Sequence, residues 1–524
     1  MAKRSSVLAA LAAAEVAAPG DGALDRELAE LPRNDIGNAK RFLARHSGRV
    51  LFVRNMGWLV WDARRWRREG GDEAARTLAQ NTTEMIRAEA RAVADEAEGY
   101  DGKAKKEIMA KAEALMRFAS SSGKSSNITG MMREAAPHFG GAVWGADGAF
   151  TSAGPGDLDA DPLTLNCLNG TLTVRVVERV AEVVLKDHDP ADRITKLCEA
   201  AYKPDAEAPQ FLAFLERIVP DKDVREFLKL FCGYCLTGLT REQIVVFLHG
   251  AGANGKSTFV DLVASIMGDY SVTLQFASLT AEGSQRRGGE ATPDLARLPG
   301  ARFVRASEPE MGVKFSEALV KSLTGGETVT VRHLNQGFFD FDPEYKIVLS
   351  GNHKPIIRGQ DEGIWRRVRL IPFEVSIPKE ERDRELAEKL WEERDGVLAW
   401  MVEGLCAYLE GGLSEPAAIL TATAQYREES DAVGQFITQC ITVVKGAQPV
   451  QSSEIYANYE KYARINGTPN YSATGFGKAF RERIRAMHGI ERIDGMVRVY
   501  PNIVVAMVDA RDDVQARAEA HARD

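Results

Sequence analysis

The stretch "VVFLHGAGANGKSTFVDLVASIMGDY", Val245 to Tyr270, decides how the rest of the chain is read. An apolar run, "VVFLH", meets a glycine-rich turn that closes in Gly255, Lys256 and Ser257, and a helical pattern, "STFVDLVASIM", follows at once. Gly250 to Ser257 fit the spacing G-x-x-x-x-G-K-[ST] in full, and a strand before and a helix after are the context that spacing requires. Glycines let backbone N–H groups close around phosphates, and the helix N-terminus adds partial positive charge. Gly250, Gly252, Ala253, Asn254, Gly255, Lys256, Ser257 and Thr258 are therefore expected to cradle a nucleotide, with Lys256 on its outer phosphates and Ser257 on magnesium.

Such a site needs an acid at the end of a neighbouring strand. "GARFVRASEPE" offers a strand from Arg302 to Ala306, ending at Ser307, Glu308 and Glu310. Ser307 stands where many ATPases of this kind carry a first acid, so Glu308 either organises the magnesium shell or takes a proton from the attacking water, with Glu310 as the spare. A further strand, "YKIVLSGNHKP", ends in Asn352, a polar amide at the height of a γ-phosphate. In "DEGIWRRVRLIPF", Arg366 and Arg367 are surface charges or include a cation delivered to a neighbouring copy's γ-phosphate. Between acid and amide, "TVTVRH", "LNQG" and "FFDF" read as a β-hairpin with Arg332, His333, Asn335 and Gln336 at its tip. It is either a structural hairpin or a grip on a nucleic acid backbone.

At 524 residues the chain exceeds one core and calls for about three domains. A net charge of -8 argues against binding DNA with the whole surface while leaving room for local basic faces. No apolar run is long enough for a membrane span. The six scattered cysteines form no disulfide framework, and Cys232 with Cys235 lie in a helical run with no second pair to complete a zinc site.

Residues 1–30 read as a flexible tail and 31–160 as an α+β and helical domain of open role. Within it, Lys and Arg residues between Arg33 and Arg68 interleave with Phe42, Phe52, Trp58, Trp61 and Trp66. That pattern suits a single-stranded nucleic acid groove, or a small sheet whose tryptophans fill a core. Residues 72–138 read as packed helices. Asp157, Asp159 and Asp161 follow a Gly/Pro loop and lack the rigid strand that paired metal-binding carboxylates need. Residues 161–242 read as a strand and turn followed by a helical collar, 243–410 as the ATPase core with a parallel sheet flanked by helices, and 411–450 as a helical linker.

Residues 451–505 read as helix, helix and a two-strand wing around "RIDGMVRVY", with Asp494-Gly495 as the turn; 506–524 form a tail. This winged-helix pattern would set Ser472 to Met487 on duplex DNA through Lys478, Arg481 and Arg485, or serve protein contacts instead.

The order "GAGANGKST", "FVRASEPE", "KSLTGGETVTVRH", "LSGNHKP" and "IWRRVRLIPF" resembles the superfamily 3 helicases, and most of all the phage and plasmid primase-helicase family that includes the poxvirus primase-helicase. The resemblance runs from about Leu163 to about Phe373. It implies a multidomain α/β protein with an AAA+-type P-loop core, a hexameric ring around single-stranded DNA, and movement in the 3′ to 5′ direction. On this chain it implies nucleotide and magnesium at Lys256 and Ser257, the acid at Glu308, the sensor at Asn352, the finger at Arg366 or Arg367, and a DNA-tracking loop at the hairpin, Arg332 and His333 foremost. No zinc motif or strand-borne acid pair precedes the core, so primase activity is not implied.

The function expected is an ATP- and Mg2+-dependent replicative DNA helicase of a phage or mobile element, working in a bacterial host cytoplasm, away from membranes, beside a primase or DNA polymerase. Two other classes fit the same residues: a non-unwinding AAA+ initiator or helicase loader, and a DNA-binding assembly protein that nucleotide merely stabilises.

Overall fold

A computed structural model describes residues 22–140, 143–144, 150–151, 154–280, 292–307, 313–332, 337–357, 359, 362–467 and 471–506. The N-terminal region packs helices Asp35–His46, Gly71–Glu96, Gly102–Ser122 and Ser125–Phe139 around a three-stranded antiparallel sheet, Val50–Val53, Gly57–Trp61 and Trp66–Arg67. Phe42, Trp58 and Phe139 form one aromatic cluster, and Trp66 is buried beneath a neighbouring one. Phe42 and Trp58, turned to each other, and Trp66, packed against Trp61, are thus core residues rather than platforms offered to bases. Of the two readings of residues 31–68, the structure supports the small sheet.

Next comes an antiparallel meander, Thr164–Cys167, Gly170–Val177 and Val180–Lys186, in place of the single strand and turn expected there. The three aspartates before it close loops. Asp159 accepts from the Thr195 amide at 2.7 Å, Asp161 from the Leu163 amide at 2.9 Å, and Asp157 from the Gly154 amide at 2.7 Å. Two helices follow, α1 (Pro209–Ile218) and α2 (Lys222–Cys235). Cys232 and Cys235 are buried on α2 as free cysteines, where burial pushes both thiols up, Cys235 to about 12.

The core is a five-stranded parallel sheet of β1 (Val245–His249), β2 (Ser271–Gln275), β3 (Phe303–Ser307), β4 (Lys346–Gly351) and β5 (Val368–Pro372), in the order β2-β3-β4-β1-β5. Strands covered on both faces read as continuous apolar runs, which is why "VVFLH" and "KIVLSG" lie at the centre. Every residue of β4 is buried. The first sheet face packs on α1, α2, α3 (Lys256–Met267) and the helix Arg394–Gly411; the second face carries a separate cluster including Phe315, Val320 and Trp365. The boundary expected at 242/243 is therefore not a packing boundary. Helix Arg394–Gly411 lies against α2 so closely that a Cβ on Gly233 would stand 2.1 Å from the Leu405 nitrogen.

The segment 411–450, expected as a linker, divides between two bodies. Helix Ala417–Ser430 belongs to the parallel-sheet core: Thr423 Oγ1 accepts from the Leu370 amide at 3.0 Å, and Tyr426 stacks edge-on to Trp365. Helix Ala432–Cys440 and strand Ile441–Val443 share the C-terminal core with helices Ser452–Asn466 and α5, defined below as Ala473–His488. The expected wing is altered too. Ile493 and Val499 exchange backbone hydrogen bonds of 2.9 and 3.1 Å that close the Asp494-Gly495 loop, while Val499–Tyr500 pairs with Val450–Gln451 and Ile503–Val505 with Ile441–Val443.

Candidate nucleotide and nucleic-acid site

Sheet register creates the site. His249 of β1 lies level with Gly351 of β4 and Pro372 of β5, and Ser307 of β3 level with Ser350. The C-terminal ends of β1, β3 and β4 therefore lie along one edge, the carboxyl edge where open parallel sheets bind ligands. Strand β3, which precedes Glu308 in the sequence, is not the immediate neighbour of β1, as a simple reading would place it. With strands about 4.8 Å apart, it stands about 10 Å away, and β4 with Asn352 lies between.

The loop from Gly250 to Gly255 is held in shape from three sides. Ala253 and Gly255 adopt left-handed conformations, with φ of 61° and 78°. A Cβ on Gly250 would meet the Phe373 carbonyl oxygen at 2.0 Å, and one on Gly255 would meet Ile218 Cγ2 at 2.6 Å, so both positions exclude a side chain. Asn254 Nδ2 donates to the Phe373 oxygen at 3.1 Å, and the Ile377 amide donates to the Ala253 oxygen at 2.8 Å. Phe373 and α1, neither in the motif, thus complete the cradle.

Lys256 is buried at the start of α3, where its ammonium donates to the Gly250 oxygen at 2.7 Å, Asn254 Oδ1 at 3.0 Å and Asn352 Oδ1 at 3.2 Å. Two expected site residues from distant parts of the sequence are so brought together. Ser257 is exposed in the first turn of α3, with Thr258 beside it half-buried. Glu308 and Glu310 lie outside the described residues. His249, absent from the sequence-based set, ends β1 directly before the glycine-rich loop, and burial, then the nearby Lys354 and Lys256, hold its imidazole below the ordinary value. Its position directly before Gly250 was the only signal in the sequence.

The two arginines separate. Arg367 is buried, its guanidinium donating to Thr324 Oγ1 at 3.1 Å and Gln243 Oε1 at 3.2 Å. Arg366 is exposed, its guanidinium 3.5 Å from the same Gln243 oxygen.

The hairpin has strands Val329–Arg332 and Phe338–Phe341. His333, Asn335 and Gln336 lie outside the described residues. Arg332 Cζ stands 5.0 Å from the ring centroid of Phe338, which is 58% exposed. Phe338 was missed because "FFDF" reads simply as a strand start. In the C-terminal body, α5 (Ala473–His488) presents Lys478, Arg481 and Arg485 to solvent, the last 3.3 Å from Glu491. Lys478 and Arg481 line a cleft of about 610 Å³ together with Arg492 and Arg498, two cations that the wing supplies.

With this geometry in view, the comparisons with known proteins fall into place. Residues 39–220 match the family model described as D5 N terminal like. A protein of Acanthamoeba polyphaga mimivirus carrying a provisional helicase name is 29% identical over 273 residues, 49% of this chain and 28% of its own. A protein of African swine fever virus (isolate Warthog/Namibia/Wart80/1980), provisionally named a primase, is 26% identical over 332 residues, 59% of this chain and 34% of its own. The apo C-terminal region of NrS-1 aligns over 65% of this chain and 96% of its own at 11% identity and a TM-score of 0.36, too low to argue a shared fold. The matched part spans about a third or less of those viral relatives' length. The relatives share viral origin and helicase or primase names. The chain is thus similar to the D5 N terminal like model over residues 39–220, and over about half of its length to viral proteins with helicase and primase names. The family match begins at residue 39, far ahead of Leu163, and so takes in the region whose role the sequence left open. Among the described residues no helix is long and apolar enough to cross a membrane.

Proposed function

We propose that the chain is an ATP-dependent DNA helicase of replication, hydrolysing ATP with Mg2+ between the subunits of a hexameric ring and threading single-stranded DNA through it in the 3′ to 5′ direction. One observation carries the reading: Lys256, on the loop after β1, and Asn352, at the end of β4, meet at 3.2 Å on the carboxyl edge of the parallel sheet. Lys256 neutralises the outer phosphates, and the Asn352 amide orients the attacking water at the γ-phosphate. Glu308 accepts that water's proton. The exposed Ser257 hydroxyl at the first turn of α3, with Glu308 as the acid partner, fits magnesium, which takes only one or two protein oxygens beside the phosphates. When bound, the metal draws off charge that develops on the phosphates.

Arg366 is the finger, because it is exposed while Arg367 is engaged inside the core. The hairpin grips the DNA backbone through Arg332 and His333, with Asn335 and Gln336 beside them. Lys478, Arg481 and Arg485 contact duplex DNA, and a primase or polymerase works alongside. The test is ATP turnover stimulated by single-stranded DNA together with strand displacement, both lost in Lys256→Ala. A protein that stays a single copy with ATP and oligonucleotide present, yet hydrolyses at full rate, would overturn the ring reading.

A further inference from the structure

The nucleotide site does not stop at the first turn of α3. A cavity of about 530 Å³ opens beside Thr258 and runs between α3 and α4 (Leu386–Glu392). From α3 it takes Thr258, Asp261 and Ser265, and from α4 Glu388, Trp391 and Glu392. Positions three and four apart share one helix face, so the α3 residues form a single wall. At 1.5 Å per residue, Ser265 lies about 10 Å along the axis from Thr258, a distance comparable with the reach of a ribose and purine beyond the innermost phosphate.

The chemistry of this wall is opposite to that of the phosphate cradle. Three carboxylates rim it, and among the described residues its lining holds no Lys or Arg. Asp261 is already paired with Arg305, which leaves Glu388 and Glu392 as exposed acceptors. Phosphate is repelled from such a cavity, whereas ribose hydroxyls and ring amino groups, which donate hydrogen bonds, are welcome. Trp391 supplies a large apolar surface and is itself steadied by Arg394, whose Cζ lies 5.0 Å from its ring centroid.

We propose that this cavity is the nucleoside subsite of the nucleotide site, in which Trp391 packs against the purine and Glu388 and Glu392 accept from ribose and base. The proposal rests on the reading of Gly250–Ser257 as the phosphate cradle. It makes Trp391 a specificity residue: the protein holds purine nucleotides more tightly than it holds bare polyphosphate.

Calorimetry on the full chain with Mg2+ tests this, using ADP and inorganic tripolyphosphate as the two probes. Loss of one base–aromatic stack weakens binding about ten- to a hundredfold, so Trp391→Ala should lose that much for ADP and nothing for tripolyphosphate. Trp391→Phe should keep ADP within a few-fold of the parent chain, and ADP should perturb tryptophan emission in the parent but not in this variant. An alanine variant that binds ADP like the parent overturns the subsite; so does one that loses both probes equally, because Trp391 then merely holds α4 in place. A parent chain that binds tripolyphosphate as tightly as ADP overturns the subsite alone. One that binds neither overturns the phosphate cradle as well.

Discussion

The ammonium of Lys256 donates to Asn352 Oδ1 across 3.2 Å, tying the loop after β1 to the end of β4. The amide is thereby fixed on the carboxyl edge of the sheet, and the proposed hydrolysis makes it the group that orients the attacking water. Removing one preorganised polar group from such a site costs about 100- to 1,000-fold in kcat. Asn352→Ala should show that loss in steady-state ATP hydrolysis while nucleotide affinity changes only a few-fold. Lys256→Ala should abolish hydrolysis altogether.

The glycines of the cradle are not equivalent. Gly250→Ala and Gly255→Ala should abolish nucleotide binding, because their Cβ atoms would stand 2.0 Å from the Phe373 oxygen and 2.6 Å from Ile218 Cγ2. Gly252 has nothing within 4 Å of the same position, so Gly252→Ala should bind nucleotide within a few-fold of the parent. Titration with a fluorescent nucleotide distinguishes the three.

Arg366 and Arg367, adjacent in sequence, should fail in different ways. Truncating Arg367 strips buried partners of their donor and should cost about 2–4 kcal/mol, read as a lowered Tm. Arg366→Ala should melt like the parent and lose turnover. Mixing it with Lys256→Ala subunits should restore part of the activity, since each variant then supplies the half-site that the other lacks.

Phe338 should take part in holding single-stranded DNA. An exposed ring beside Arg332 offers a base a flat face next to a cation. Phe338→Ala should weaken oligonucleotide binding by about 1–3 kcal/mol in a filter or anisotropy assay, with basal hydrolysis intact. Arg332→Ala should in addition reduce the salt dependence of binding.

The N-terminal region should be acid-labile through His46. Its buried imidazole touches Thr82 Oγ1 at 3.1 Å, and burial, then Arg49 and Arg45, lower its pKa to about 4. The unfolded chain takes up this proton near pH 6.5 and the folded one only near pH 4. The neutral histidine's contribution is thus complete above pH 6.5 and lost as pH falls toward 4, by roughly 3 kcal/mol at the foot of that window. Fluorescence melting of Trp58 and Trp66 should show this slope, and His46→Gln should flatten it.

The glycine-rich loop was legible in local sequence, because it is built from consecutive residues whose glycines and lysine keep a set spacing. The strands β1 and β4 were equally plain, since burial on both faces demands unbroken apolar runs. Legibility failed where contacts join distant segments. Nothing local assigns residues 432–443 to the C-terminal core, or marks the wing's closing contact as a single Ile493/Val499 bridge. The aromatics of residues 31–68 were ambiguous for the same reason: a tryptophan that packs a core and one that stacks on a base look alike until the third dimension buries one of them.

By itself the sequence determined where the glycine-rich loop stands, where its lysine and serine fall, and which strands flank it. Only the tertiary structure decided that β4 comes between β1 and β3, that Asn352 reaches Lys256, and that Arg367 rather than Arg366 is drawn inside. The reason is physical: spacing along the backbone sets local turns and periodicity, whereas strand order and burial depend on which remote surfaces exclude water together.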